Sequence, residues 1–173
     1  MKLGFLRALG LLAPLAVGGC STYTLLEPNE APIAAFGPSS THAATVCVIR
    51  PSHWGLAVTF VVHDDSTLVG ATKGESYFCY LAEPGPHRIV SSRADSTEDF
   101  GQVTFHAEAG KRYWLHQGYD SFFGTVLDWV DEGRARQMVE ACNYKELVDA
   151  PSEEALPTGV PYAHALTYGA DND

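Results

Sequence analysis

The side chains best able to do chemistry in this chain are histidines and acidic groups set among strand-like runs. Around Ala109-Gly110-Lys111 the sequence predicts a hairpin with a three-residue loop, which sets Glu108 opposite Arg112 and Ala107 opposite Tyr113. In that register Val103, Phe105, Ala107, Tyr113 and Leu115 share one face, the expected core face. Thr104, His106, Trp114 and His116 share the other. There His106 and His116 would be diagonal neighbours with Cβ atoms about 7–8 Å apart, close enough to share a metal ion. Trp114 between them could stack on a sugar or a peptide. His106, Trp114 and His116 are therefore the candidate ligand face, and a metal- or small-ligand-binding protein is the alternative function they imply. A site needs groups converging from more than one element, so an exposed or helix-covered sheet face is the simpler reading. His63-Asp64-Asp65 is read as a strand-ending turn, because Asp side chains satisfy turn amides without a metal. The nucleophile elbow, the HExxH helix, the phosphate loop and the dinucleotide fingerprint are all missing from the sequence. Missing motifs do not exclude an enzyme but remove the usual positive grounds for one. No catalytic residue, metal or cofactor is therefore expected, the chain is not expected to be an enzyme, and an unrecognised hydrolase is the least favoured reading.

A different chemistry is expected at Cys20. Lys2 and Arg7 form a positive start, Ala8 to Val17 is almost wholly apolar, and two glycines lead into the cysteine. These are the three regions of a secretory signal. The apolar run is much shorter than the about 20 residues that span a bilayer. Val17-Gly18-Gly19-Cys20 resembles the lipobox of bacterial lipoprotein precursors. That resemblance implies cleavage before Cys20, diacylation of its thiol by chains such as palmitate, and often acylation of the new amine. Each buried methylene contributes about 0.8 kcal/mol, so two or three chains anchor durably. Ser21, where an Asp would signal inner-membrane retention, implies by the same resemblance an outer-membrane anchor facing the periplasm.

Removing residues 1–19 takes away Lys2 and Arg7 and moves the formal charge from −10 to −12. So acidic a chain argues against nucleic acid and against anionic headgroups as partners. With Cys20 acylated, Cys47, Cys79 and Cys142 remain, and an oxidising compartment would allow one disulfide among them. Their spacing does not single out a pair, and three small buried hydrophobes would read the same.

The elements that must position these groups are short strands between turns. Strands are predicted at 44–50, 56–63, 67–71, 76–81, 87–92, 102–107, 112–117 and 125–130. Asp131 can cap a helix on which Ala135, Met138, Val139 and Cys142 form one stripe. Tyr119, Phe122, Phe123 and Trp129 suit either core packing or a partner-facing loop. The fold class is thus mainly β, an antiparallel β-sandwich of the immunoglobulin or transthyretin kind with one C-terminal helix. The expected organisation is a signal peptide over 1–19, an acylated Cys and flexible tether over 20–42, the sandwich over 43–150, and a loose tail over 151–173. A flexible tether of that length reaches about 25 Å and would hold the domain clear of the headgroups.

Several segments taken in order suggest a family. They are Val46-Cys47-Val48-Ile49-Arg50-Pro51, Leu68-Val69-Gly70, Gly74-Glu75-Ser76-Tyr77-Phe78, Pro84-Gly85-Pro86-His87 and Ala109-Gly110-Lys111-Arg112-Tyr113. Over about 43–150 the series resembles a bacterial domain-of-unknown-function family of small β-sandwich lipoproteins. The resemblance implies a noncatalytic domain anchored by its N-terminal lipid, binding another envelope protein or a glycan. It supplies no active site to carry over.

Overall fold

The computed structural model describes residues 23–31, 33–95, 99–120 and 124–151. The expected signal segment 1–19, Cys20, Phe122, Phe123 and residues 152–173 lie outside them. The described chain is mainly β with one short helix. Its strands are β1 (Thr24–Leu26), β2 (Ala44–Arg50), β3 (Thr59–Asp64), β4 (Thr67–Lys73), β5 (Ser76–Ala82) and β6 (Gly85–Arg93). After these come β7 (Asp99–Ala107), β8 (Arg112–Asp120), β9 (Gly124–Val130), helix α1 (Glu132–Val139), β10 (Asn143–Tyr144) and β11 (Glu146–Asp149).

Two larger sheets share one core in a sandwich-like arrangement. One has the order β10-β5-β2-β8-β9 and the other β4-β3-β6-β7. Val46, Val48, Phe78, Tyr80, Leu115 and Leu127 from the first meet Val62, Val69, Ile89 and Ala107 from the second. Pairing is antiparallel throughout except β2 with β8 and β5 with β10, which are parallel. The sheets close on each other at both sides. Gly70 leaves no room for a side chain, because the Phe78 ring occupies the place where a Cβ would stand. At the other side Gly101 lets β7 approach the carbonyl of Thr125 on β9.

All seven residues of β2 are buried, which explains an apolar run with no alternation. Its inner residues enter the core. Its outer residues Cys47 and Ile49 lie under Ile33, Ala35 and the Ala135 and Met138 face of α1. Asp131 caps that helix, its carboxylate accepting the amide of Arg134 at 2.9 Å. On the outside of the second sheet, β1 pairs with β11, and Leu25 and Leu147 cover Val61 and Ala71.

Two sequence expectations change here. Residues 23–42 do not behave as a tether where they are described. They are fastened by burial of Ile33 and Ala35, by Arg112 donating to the carbonyls of Ala34, Gly37 and Pro38, and by the Trp114 indole donating to Ala35. Satisfying backbone carbonyls needs no periodic side-chain pattern, so the docking left no trace in hydrophobic spacing. The hairpin expected at Gly110 is also absent. β7 pairs with β6, and β8 pairs with β2 and β9. Gly110 donates to Ala43 and Thr45 to Lys111, which carries β8 away into a parallel pairing with β2.

Candidate functional site

One end of the sandwich carries a loop built to stay in shape. β2 ends on Arg50, whose side chain is 2 % exposed. Its guanidinium donates to the carbonyl of Val58 at 2.9 Å and to those of Trp54 and Gly55 at 3.1 Å each. It also lies 4.5 Å over the Phe60 ring. Burial draws its pKa down, yet guanidinium starts so high that it stays charged at any ordinary pH. Each donor thus makes a charge-assisted bond to loop backbone, stronger than a neutral one. Gly55 takes φ of 71°, a turn that a larger residue resists and that would also push on Arg50. Folded round this cation, the 51–58 loop leaves its two largest apolar side chains outside. Trp54 is 83 % exposed, and Leu56, which packs on Gly74, is 49 % exposed. Surface charges of both signs lie at the same end: His53 pairs with Glu75, Arg93 pairs with Asp95, and Lys73 is exposed.

The chain enters the domain at this end. Tyr23 lines a groove of about 500 Å³ with Ala57, Val58, Thr59, Lys73, Ala94 and Asp95. In sequence, Tyr23 stands three residues after Cys20.

The opposite end holds the main cluster of titratable groups. Asp64 closes β3, and its carboxylate accepts from the Tyr80 hydroxyl at 3.1 Å and faces His87 Nδ1 at 2.9 Å. His87 Nε2 faces the Glu83 carbonyl at 2.7 Å. Both ring nitrogens therefore meet acceptors, which suits a doubly protonated ring. Burial draws the His87 pKa down, but the Glu83 carbonyl and the Asp64 carboxylate outweigh it and leave it raised. Burial pushes the Asp64 carboxyl up in spite of its neighbours. Asp65, at φ of 53°, accepts the Arg88 amide at 3.2 Å, so acidic side chains here do serve backbone amides. Asp64, Asp65 and His87 offer ligand atoms within 4.8 Å of one another, but those of His87 are already spent on protein acceptors.

The candidate ligand face does not assemble. Lacking the β7–β8 pairing, His106 lies exposed on the outer side of the β4-β3-β6-β7 sheet, opposite Pro86. Trp114 and His116 lie on the outer side of the other sheet. Trp114 stacks on Phe36 at 5.9 Å and holds Ala35, so its ring is used within the fold. His116 is half-buried; burial draws its pKa down, which Asp128 opposes and Arg134 reinforces. Among the cysteines, Cys47 and Cys79 stand directly opposite on β2 and β5 and form a disulfide. Cys142 is a half-buried thiol pushed up to about 12 by burial and by Glu75. Trp129 packs with Phe105 and Tyr113, while Tyr119 is 53 % exposed.

Sequence reasoning passed over Arg50, Trp54 and Leu56, and placed Leu56 in a strand. The available signal was an arginine ending a wholly apolar strand, followed by a loop that keeps Trp and Leu beside a glycine. Compared with known families and with curated proteins, the chain matches no family model and no protein.

Proposed function

We propose that this chain is a noncatalytic envelope lipoprotein, held by acyl chains on Cys20 to the periplasmic face of the outer membrane, whose domain binds another envelope protein or a glycan. The single observation that carries this reading is the charged start, apolar run and Val17-Gly18-Gly19-Cys20 sequence. Membership of the small β-sandwich lipoprotein family, and an immunoglobulin- or transthyretin-like strand plan, belong to the same proposal. The noncatalytic part of the proposal comes from the family resemblance, which supplies no active site. A buried cross-strand disulfide suits an oxidising compartment. If Tyr23 lies next to the anchor, the end bearing Asp65, Pro86, His87 and Phe105 faces away from the membrane, and its groove of about 480 Å³ is the surface left for a partner.

The test is the mass of the N-terminal peptide from protein made in a lipoprotein-processing bacterium, beside a Cys20→Ala variant. The expected result is a mature chain starting at acylated Cys20, with the variant released from membranes. A wild-type peptide cut elsewhere, or a Cys20 bearing no acyl chains, overturns the reading.

A further inference from the structure

We propose that the 51–58 loop is a membrane-docking finger, with Trp54 and Leu56 seated among the headgroups and upper acyl chains of the bilayer that holds the Cys20 lipid. This rests on the lipoprotein reading above. Three independent observations carry it further than the anchor alone.

The first is the distance left for anything else. The described chain is packed from Tyr23 onward, and three residues of extended backbone span only about 10 Å. Tyr23 shares a groove with Ala57, Val58 and Thr59, so the end carrying the loop is the end drawn to the lipid. A folded partner does not fit into a gap of that size, whereas a bilayer surface is already there.

The second is the chemistry of the tip. Tryptophan is enriched where membrane meets water because its ring is apolar and its N–H can stay wet. Trp54 is the most exposed of the large apolar side chains described, and Leu56 follows it two positions on. Single exposed apolar residues are ordinary on protein surfaces. A Trp and a Leu on one loop at the lipid-entry end are a narrower coincidence.

The third is preorganisation. Arg50 holds the carbonyls of Trp54, Gly55 and Val58, so three of the loop's carbonyls are already partnered and its shape is set before docking. Little ordering entropy then opposes docking. The finger would fix the domain's orientation, which acyl chains by themselves leave free.

The experiment uses full-length acylated protein in phosphatidylcholine vesicles containing lipids brominated either near the headgroup or near the chain end. Mass measurement first establishes acylation at Cys20, and sedimentation establishes vesicle binding. The proposal expects tryptophan fluorescence to be quenched more strongly by the shallow bromines. It expects Trp54→Phe to lose most of that quenching while staying folded and bound, and Leu56→Ser to weaken it. If the acylated, bound protein shows the same quenching with and without Trp54, the finger is overturned and the anchor stands. A photocrosslinker at position 54 that captures protein or glycan in place of lipid, in native envelopes, overturns it as well. Unacylated Cys20 overturns the anchor reading and the finger together.

Discussion

His87 sits between a carboxylate and a carbonyl, and that placement makes its proton part of the fold. A ring pinned at Nδ1 by Asp64 and at Nε2 by Glu83 keeps both hydrogen bonds only while both nitrogens are protonated. Its pKa is accordingly raised in the folded chain. The imidazolium's contribution to stability is therefore complete below the ordinary value of about 6.5 and lost as pH rises through the raised one. Asp64, with its carboxyl also raised, acts with the same sign in the acid range: folded and unfolded chains again differ by protons held in the fold. Glu27 and Asp95, whose carboxyls are held down by Lys145 and Arg93, act oppositely there. The neutral window is thus the cleaner one to measure. Denaturant midpoints for the wild type are expected to fall from about pH 6.5 upward through the raised value, and His87→Gln should flatten that slope. A midpoint that is flat or rising across this window would contradict the assignment.

At the scale of elements, the loop and its pin behave as one unit. Arg50→Met keeps most of the apolar stem but strands the carbonyls of Trp54, Gly55 and Val58. A loss of about 2–4 kcal/mol is expected in chemical denaturation. Arg50→Lys should recover little of it, because one ammonium cannot reproduce the fork that spans three carbonyls. A loss under about 0.5 kcal/mol would show that the loop holds its shape without the cation. The same unit shows why parts of this fold were legible and others were not. β2 and the Asp131-capped α1 with its buried Ala135 and Met138 could be read directly, since burial and capping leave marks in local spacing. Cys142, expected on the same stripe, falls past the helix end at Val139. The inward set Val103, Phe105, Ala107, Tyr113 and Leu115 was also legible, and all of it lies in or against the core. Alternation reports which face is buried and is indifferent to whether two strands bond side by side or face each other across a sandwich. For that reason the faces of β7 and β8 were recovered while their pairing was not. The candidate grouping of His106 with Trp114 and His116 depended on the pairing and fell with it. β1, β10 and β11 are two to four residues long, too short to show a period. Leu56 and Val58 read as strand because nothing local reveals that Arg50 folds back to claim the loop.

For the whole molecule, the packing of residues 23–42 on the domain changes the picture of how an anchored chain would stand. A free segment from 20 to 42 would leave the domain about 25 Å away, on average, and freely tumbling. With β1 paired to β11, Ile33 and Ala35 buried, and Arg112 and Trp114 holding the segment's carbonyls, that slack is gone. On the proposed reading the domain would stand with its Tyr23 and Trp54 end toward the membrane. Its far end, with the His87 cluster, would then be presented to the periplasm. Neutron reflectometry of the acylated protein on a supported phosphatidylcholine bilayer measures this arrangement most directly. The account predicts protein density starting within about 10 Å of the headgroups, with no water-filled layer between. A hydrated gap of about 25 Å beneath the domain would contradict it.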